Sequence, residues 1–299
     1  MEENVIKQKE DNKKDAGCSS CDSKSCDKKD CKNCAHKKKI VKLPANPMNH
    51  IKHVVGIVSG KGGVGKSSVT SMVAVELQRR GYKVGILDAD VTGPSIPQIF
   101  GMHTVAEDGP CKGIEPVETP SGIKMMSINV LLEAEDTPVV WRGPVITGVV
   151  KQFWTDVLWR DLDYLLIDMP PGTGDVPLTV FQYLPVDGII MVTSPQTLVS
   201  MIVKKACKMA DKLNVPILGL VENYSYIVCP DCGKKMPVFG KSRLEAFAEE
   251  CNLQVLAKLP VDERLANAGD EGTIESYRSE EMAEAVGKVV EMLADKCSK

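Results

Sequence analysis

The stretch "SGKGGVGKSS", residues 59–68, follows the apolar run "HVVGIV" (53–58) and leads into "SSVTSMVAVELQRRG" (67–81), which has helical spacing. Gly60, Lys61, Gly62, Gly63, Val64, Gly65, Lys66, Ser67 and Ser68 therefore form a glycine-rich phosphate loop between a strand and a helix. Glycines let successive backbone N–H groups turn inward with no Cβ in the way, and the helix end adds its positive dipole. Lys66 is placed to reach the β- and γ-phosphates of a nucleotide, and the Ser67 hydroxyl to bind Mg²⁺. One lysine suffices for that task, yet Lys61 stands directly after Gly60. Its place inside the glycine nest argues against a merely solvated surface lysine.

Working outward, short apolar runs alternate with helical patterns. The runs are "VGILD" (84–88), "IKMMSI" (123–128), "YLLID" (164–168), "GIIMVT" (188–193), "ILGLV" (217–221) and "VLAKLP" (255–260). Helical spacing recurs in "TLVSMIVKKACKMADKLN" (197–214) and "SEEMAEAVGKVVEMLADK" (279–296). Several runs are apolar on both faces, as in strands buried within a parallel sheet. The pattern predicts an α/β fold, a doubly wound, mostly parallel sheet flanked by helices, as in P-loop NTPases. Two runs end in carboxylates. Asp168, in "LLIDMPPGTGD" (165–175), is placed to hold Mg²⁺ through water, and the glycines after it suit a loop sensing the γ-phosphate. In "GILDADVTGPS" (85–95), Asp90 is placed to orient the attacking water or order the metal shell. Asp88 reads equally as a site residue and as a turn residue.

Composition bounds the rest. The chain has 299 residues, 43% hydrophobic and 26% charged, with a net charge of −3. That balance suits a soluble globular protein and gives no reason to expect nucleic acid or a membrane as partner. No apolar run reaches the roughly 18 residues of a membrane span, and the first residues lack the apolar core of a secretory signal. A cytoplasmic location is expected. Residues 1–43 hold 12 lysines and 8 acidic residues, a balance of +4, with almost no large apolar side chains. This predicts a flexible Cys-rich arm (1–43), organised only if it binds metal, then a linker (44–50) and one catalytic domain (51–299).

Eleven cysteines are many for a reducing compartment, and clustered ones read there as metal ligands or redox groups. Cys18, Cys21, Cys26, Cys31 and Cys34 offer enough ligands for one complete iron–sulfur or zinc site. Cys229 and Cys232 form "CPDC", where Gly233 permits a tight turn, and two thiolates make half of a tetrahedral site. A zinc clasp and a thioredoxin-like redox pair are the other readings of this pair. Cys111, Cys207, Cys251 and Cys297 stand alone and read as ordinary small apolar residues.

"KGGVGKS" (61–67) resembles the deviant Walker A motif of the MinD and nitrogenase iron-protein class of P-loop ATPases. With "LDADVTGPSIP" (87–97), "LIDMPPGTGD" (166–175), "VEN" (221–223) and "CPDC", the chain resembles the Mrp/ApbC family of iron–sulfur cluster carriers over about residues 50–295. The resemblance implies a slow ATPase working as a homodimer. Lys66 would serve its own subunit's ATP, and Lys61 would reach the phosphates of the facing subunit, as an arginine finger does. It also implies that Asn223 recognises adenine and that Pro260 and Asp262 line the other side of the base. Cys229 and Cys232 of two subunits would hold a labile [4Fe–4S] cluster for delivery to apo iron–sulfur proteins. Some members carry an N-terminal ferredoxin-like cluster. Here no cysteine follows Cys34 where the last ligand should fall, so which four of the five bind stays open. Three competing readings are a MinD/ParA-like partition ATPase, a zinc-binding P-loop metallochaperone and a metal-insertion GTPase. The tail "EEMAEAVGKVVEMLADKCSK" (280–299) lacks the basic amphipathic face of a membrane binder, and no "NKxD" guanine motif is evident.

Overall fold

The structure, a computed structural model, describes residues 42–91, 93, 95–107, 109, 113–131, 143–195, 199–240 and 242–297. The N-terminal cysteines Cys18 to Cys34 and the arm that holds them lie outside the described residues. The chain divides after Ile40, and the unit from Val41 onward holds every described element.

Strands β1 (His50–Ser59), β2 (Val84–Asp88), β3 (Val117–Glu118), β4 (Lys124–Met126), β5 (Asp161–Asp168), β6 (Gly188–Thr193), β7 (Ile217–Val228), β8 (Lys235–Met236) and β9 (Val255–Pro260) build one sheet. Its helices are α1 (Lys66–Arg79), α2 (Ile96–Ile99), α3 (Gly143–Thr155), α4 (Asp175–Tyr183), α5 (Val199–Leu213), α6 (Leu244–Cys251), α7 (Glu263–Asp270) and α8 (Glu280–Cys297). The strand order is β3-β4-β2-β5-β1-β6-β7-β8, with β9 also on β7. All pairs are parallel except the two short ones, β3 on β4 and β8 on β7. The predicted architecture is thus the observed one.

The reason lies in the central strands. β1 is buried from Val54 through Ser59 and β6 along its whole length, as expected where both faces are covered. The chain passes from β1 to one side through β2 and β4, returns through β5, and continues to the other side through β6, β7 and β9. Parallel strands bring their carboxyl ends to one edge of the sheet, where α/β folds bind ligands. Register makes this concrete: Ile57 of β1 lies beside Asp168 of β5, which lies beside Asp88 of β2.

Lys42 and Leu43, read as the end of the arm (1–43), are instead docked on the sheet domain. The Lys42 ammonium donates to the carbonyls of Phe181 (2.6 Å) and Leu184 (2.8 Å) at the end of α4. The Leu43 N–H donates to the Tyr183 carbonyl (2.7 Å), and the Trp154 indole donates to the Leu43 carbonyl (3.0 Å). A cation at a helix C-terminus meets carbonyls that have no partner within the helix. At the other end, α8 packs against α1 and β9. No helix among the described residues is long and apolar enough to cross a membrane.

Candidate nucleotide cleft and cysteine hairpin

The loop Gly60–Gly65 leaves the central strand β1 and enters α1. Gly63 and Gly65 have φ of +77° and +73°, the left-handed region, and Gly65 is the N-cap of α1. A Cβ on Gly65 would stand 2.2 Å from the Asn223 amide nitrogen and 2.7 Å from the Tyr224 hydroxyl. Backbone conformation and packing both require glycine there.

Beneath the loop, Asp168 gathers three donors. Lys66 Nζ lies 2.6 Å from its Oδ2, with the two side chains 6% and 0% exposed. Ser67 Oγ donates to the same oxygen (2.6 Å), and Thr70 Oγ1 donates to Oδ1 (2.6 Å). A serine hydroxyl and a carboxylate are hard oxygen donors at one point, a set that fits Mg²⁺. Asp88 is buried beside Asp168 and accepts from Ser127 Oγ (3.0 Å) and the Asp90 N–H (3.1 Å). Burial first, then the charge of Asp168, pushes the Asp88 carboxyl up to about 8, against the pull of Lys66. Asp88 therefore holds its proton near neutrality and supports the floor of the site, while Asp90 faces the cleft above.

That cleft, about 510 Å³, is lined by Lys61, Ser67 and Asp90, and on the far side by Asn223 of β7, Pro260 of β9 and Asp262 at the start of α7. The structure thus brings together the loop, Asp90 and the three residues assigned to the base, while Asp168 lies wholly buried below. Asn223 is 1% exposed, its Nδ2 donates to the Val64 carbonyl (3.0 Å), and its buried Oδ1 meets no partner among the described residues. Asp262 caps α7 through the Arg264 N–H (2.9 Å) and also binds the Arg264 side chain and the Tyr277 hydroxyl (2.7 Å). Its carboxylate is thereby engaged in holding the cleft wall.

The strand that carries Asn223 also carries the cysteines. β7 runs on to Val228, turns through Cys229–Gly233, and pairs back through β8. Gly233, at φ +67°, donates its N–H to the Cys229 carbonyl (2.9 Å), and the Cys229 N–H donates to Lys234 (3.0 Å). The backbone N–H of Cys232, then that of Asp231, and the Cys232 side chain hold the Cys229 thiol below the usual thiol range. Both cysteines are free, Cys229 half-buried and Cys232 exposed. The hairpin is moored to α8, with Lys235 Nζ 2.6 Å from Glu281 and 3.2 Å from the Tyr226 hydroxyl. At its root, buried Glu222 accepts from Ser225 and Ser242, each at 2.6 Å. Around the thiols Ile227, Val228, Met236, Val238 and Phe239 are exposed.

The family model described as NUBPL iron-transfer P-loop NTPase matches residues 50–294. The chain belongs to this iron-transfer P-loop NTPase family. It is 48% identical over 270 residues to the iron–sulfur cluster carrier protein of Clostridium perfringens, covering 88% of this chain and 95% of that one. The carrier protein of Methanocaldococcus jannaschii is 44% identical, covering 94% and 98% of the two chains. Among solved structures, the nucleotide-binding protein of Archaeoglobus fulgidus in complex with ADP, with cobalt found in it, is 42% identical. It superposes with a TM-score of 0.69 over 77% of this chain and 90% of that one.

Several residues of this iron-transfer NTPase escaped sequence reasoning. Thr70 could have been found, since it lies one helical turn after Lys66 and shares its face. Ser127 under Asp88, the Glu222–Ser242 clamp, and Tyr224, held at φ +58° against the loop, carry no local signal.

Proposed function

We propose that the protein binds Mg·ATP in this cleft, hydrolyses it slowly to ADP and phosphate, and carries a [4Fe–4S] cluster between the Cys229/Cys232 pairs of two copies. The cluster is cargo, delivered to apo iron–sulfur proteins. The observation that carries this reading is the continuity of β7, which lines the nucleotide cleft at Asn223 and reaches the thiol hairpin six residues later.

Each residue then has a role. Lys66 places positive charge where the transferring phosphoryl group gathers negative charge, and Lys61 of the facing copy adds its own on closure. Asp90 orients the attacking water. Ser67 and Asp168 would hold Mg²⁺, whose charge neutralises the β- and γ-phosphate oxygens. The loop N–H groups from Gly60, Gly62, Gly63, Val64, Gly65 and Ser68 cradle the phosphates. Asn223 Oδ1 is an acceptor suited to the adenine amino group, and Pro260 and Asp262 wall the base.

Two thiolates per chain, set in exposed apolar surface, suit a site completed by a second copy rather than by one chain. Among the described residues no group of three or more His, Cys, Asp or Glu side chains could hold a metal ion. Four of Cys18, Cys21, Cys26, Cys31 and Cys34 would form a second centre in the arm. The free thiols suit a reducing, cytoplasmic setting.

Phosphate release and activation of an apo [4Fe–4S] protein test the reading together. Lys66→Ala should abolish turnover, and Lys61→Ala should impair hydrolysis while sparing nucleotide binding. Cys229→Ser and Cys232→Ser should bind ATP yet deliver nothing. Wild-type hydrolysis in Lys61→Ala would sink the trans lysine, and undiminished delivery by both serine variants would sink the carrier reading.

A further inference from the structure

One side chain at the cleft holds a backbone conformation that its type rarely adopts. Among the described residues other than glycine, Arg160, Asn214, Tyr224 and Asn252 are left-handed. Asn214 and Asn252 follow the ends of α5 and α6, where that conformation is ordinary for asparagine. Arg160 comes directly before β5. Only Tyr224, at φ +58°, lies inside a strand, and a bulky aromatic is costly there.

The strand gives way around it. From Glu222 to Tyr226, β7 advances four residues while β9 advances two, from Lys258 to Pro260. Within this bulge the half-buried Tyr224 lines the cleft and lies against the end of the phosphate loop. Its hydroxyl and Cζ stand 2.7 Å and 3.1 Å from the place of a Cβ on Gly65. Both neighbours fix the conformation. Asn223 Nδ2 donates to the Val64 carbonyl (3.0 Å), and Ser225 Oγ donates to Glu222 Oε2 (2.6 Å), whose other oxygen accepts from Ser242 (2.6 Å). A strained residue persists where its surroundings over-determine it, and such residues collect at functional sites.

On the reading of the cleft as a nucleotide site, we propose that Tyr224 is a positioning residue of the phosphate loop, its ring holding the loop's last turn ready before a nucleotide binds. Val64 and Gly65 end the loop, and the Gly65 carbonyl accepts from the Val69 N–H (3.0 Å) as α1 begins. Asn223 pins the first of the two by its carbonyl, and the Tyr224 ring fills the space into which the second could swing. Gly65 has no side chain of its own to resist that motion. With both held, the loop N–H groups stay turned inward, and an arriving nucleotide need not order them. Without the ring the competent loop is one of several, and affinity falls with the fraction that remains competent. Once bound nucleotide has ordered the loop, the chemical step proceeds as before.

The test is titration calorimetry of the full chain with Mg·ADP, alongside phosphate release from Mg·ATP, for the wild type, Tyr224→Gly, Tyr224→Asn and Tyr224→Phe. Glycine and asparagine both accept the left-handed backbone and lack the ring, so either serves if the other fails to fold. In them relief of strain offsets lost packing, and the ligand-free melting temperature should stay near that of the wild type. The ADP Kd and the ATP KM should rise about tenfold, with kcat changed by less than about twofold. Tyr224→Phe keeps the ring and should bind within about twofold of the wild type. Wild-type affinity in the ringless forms would overturn the positioning role alone. A Tyr224→Phe form as weak as they are would overturn it in favour of a direct hydroxyl contact, and a fall in kcat with KM unchanged would overturn it too. A wild type that binds no Mg·ADP would instead remove the nucleotide reading of the cleft, and the positioning role with it.

Discussion

At Gly65 two physical demands coincide: a left-handed backbone and a side chain of zero volume against Asn223 and Tyr224. Gly65→Ala should lose about 1–2 kcal/mol to the backbone conformation alone, with a further penalty from the clash. Calorimetry should show a lowered melting temperature together with lost ADP binding. Asp88 predicts a pH effect whose sign follows from its raised folded pKa, about 8 against about 3.9 in the unfolded chain. The folded protein keeps a proton that the unfolded chain releases, so this contribution is full below the unfolded value and is lost as pH rises through 8. Urea unfolding should therefore show the wild type weakening between about pH 5 and about pH 8, and Asp88→Asn weakening less. At this scale the sequence revealed Lys66, Ser67 and Asp168 because spacing from a strand end fixes their places. It left the contact of Asn223 with the loop unseen, because its partner Val64 is 159 residues away.

Among elements, the long strands with apolar faces were legible, and the two-residue strands β3 and β8 were not. β8 exists because β7 overruns the sheet and its turn folds back, with Lys235 caught by Glu281 and Tyr226. Lys235→Ala should raise hydrogen exchange across residues 227–236 and leave ADP affinity unchanged. Iodoacetamide trapping of Cys229 against pH should give a midpoint below the ordinary thiol value of about 8.5, since two backbone N–H groups favour its thiolate. The docked start of the chain was illegible for the same reason as Asn223. Lys42 finds its carbonyls 139 and 142 residues on. A chain beginning at Val41 should keep full stability. One beginning at Ala45 loses the hydrogen bonds of Lys42 and Leu43, each worth about 1 kcal/mol, and should melt lower.

For the whole molecule, the sheet joins the cleft and the thiol hairpin through one strand, and under the proposed function each is completed by a second copy. The phosphate loop has a lysine beyond the one it needs, and the hairpin has two thiolates where a cubane needs four. Membership of the iron-transfer family was legible from the ordered motifs, since each sits at a strand end or turn whose geometry the residues dictate. The shared site is tested most directly by iron and sulfide content with light scattering, after anaerobic reconstitution of the chain beginning at Val41 and of its Cys229→Ser and Cys232→Ser forms. The predicted result is about four irons per dimer and loss of that iron in both variants. A full cluster in a strict monomer, unchanged iron in both variants, or stoichiometric zinc in place of iron would contradict it.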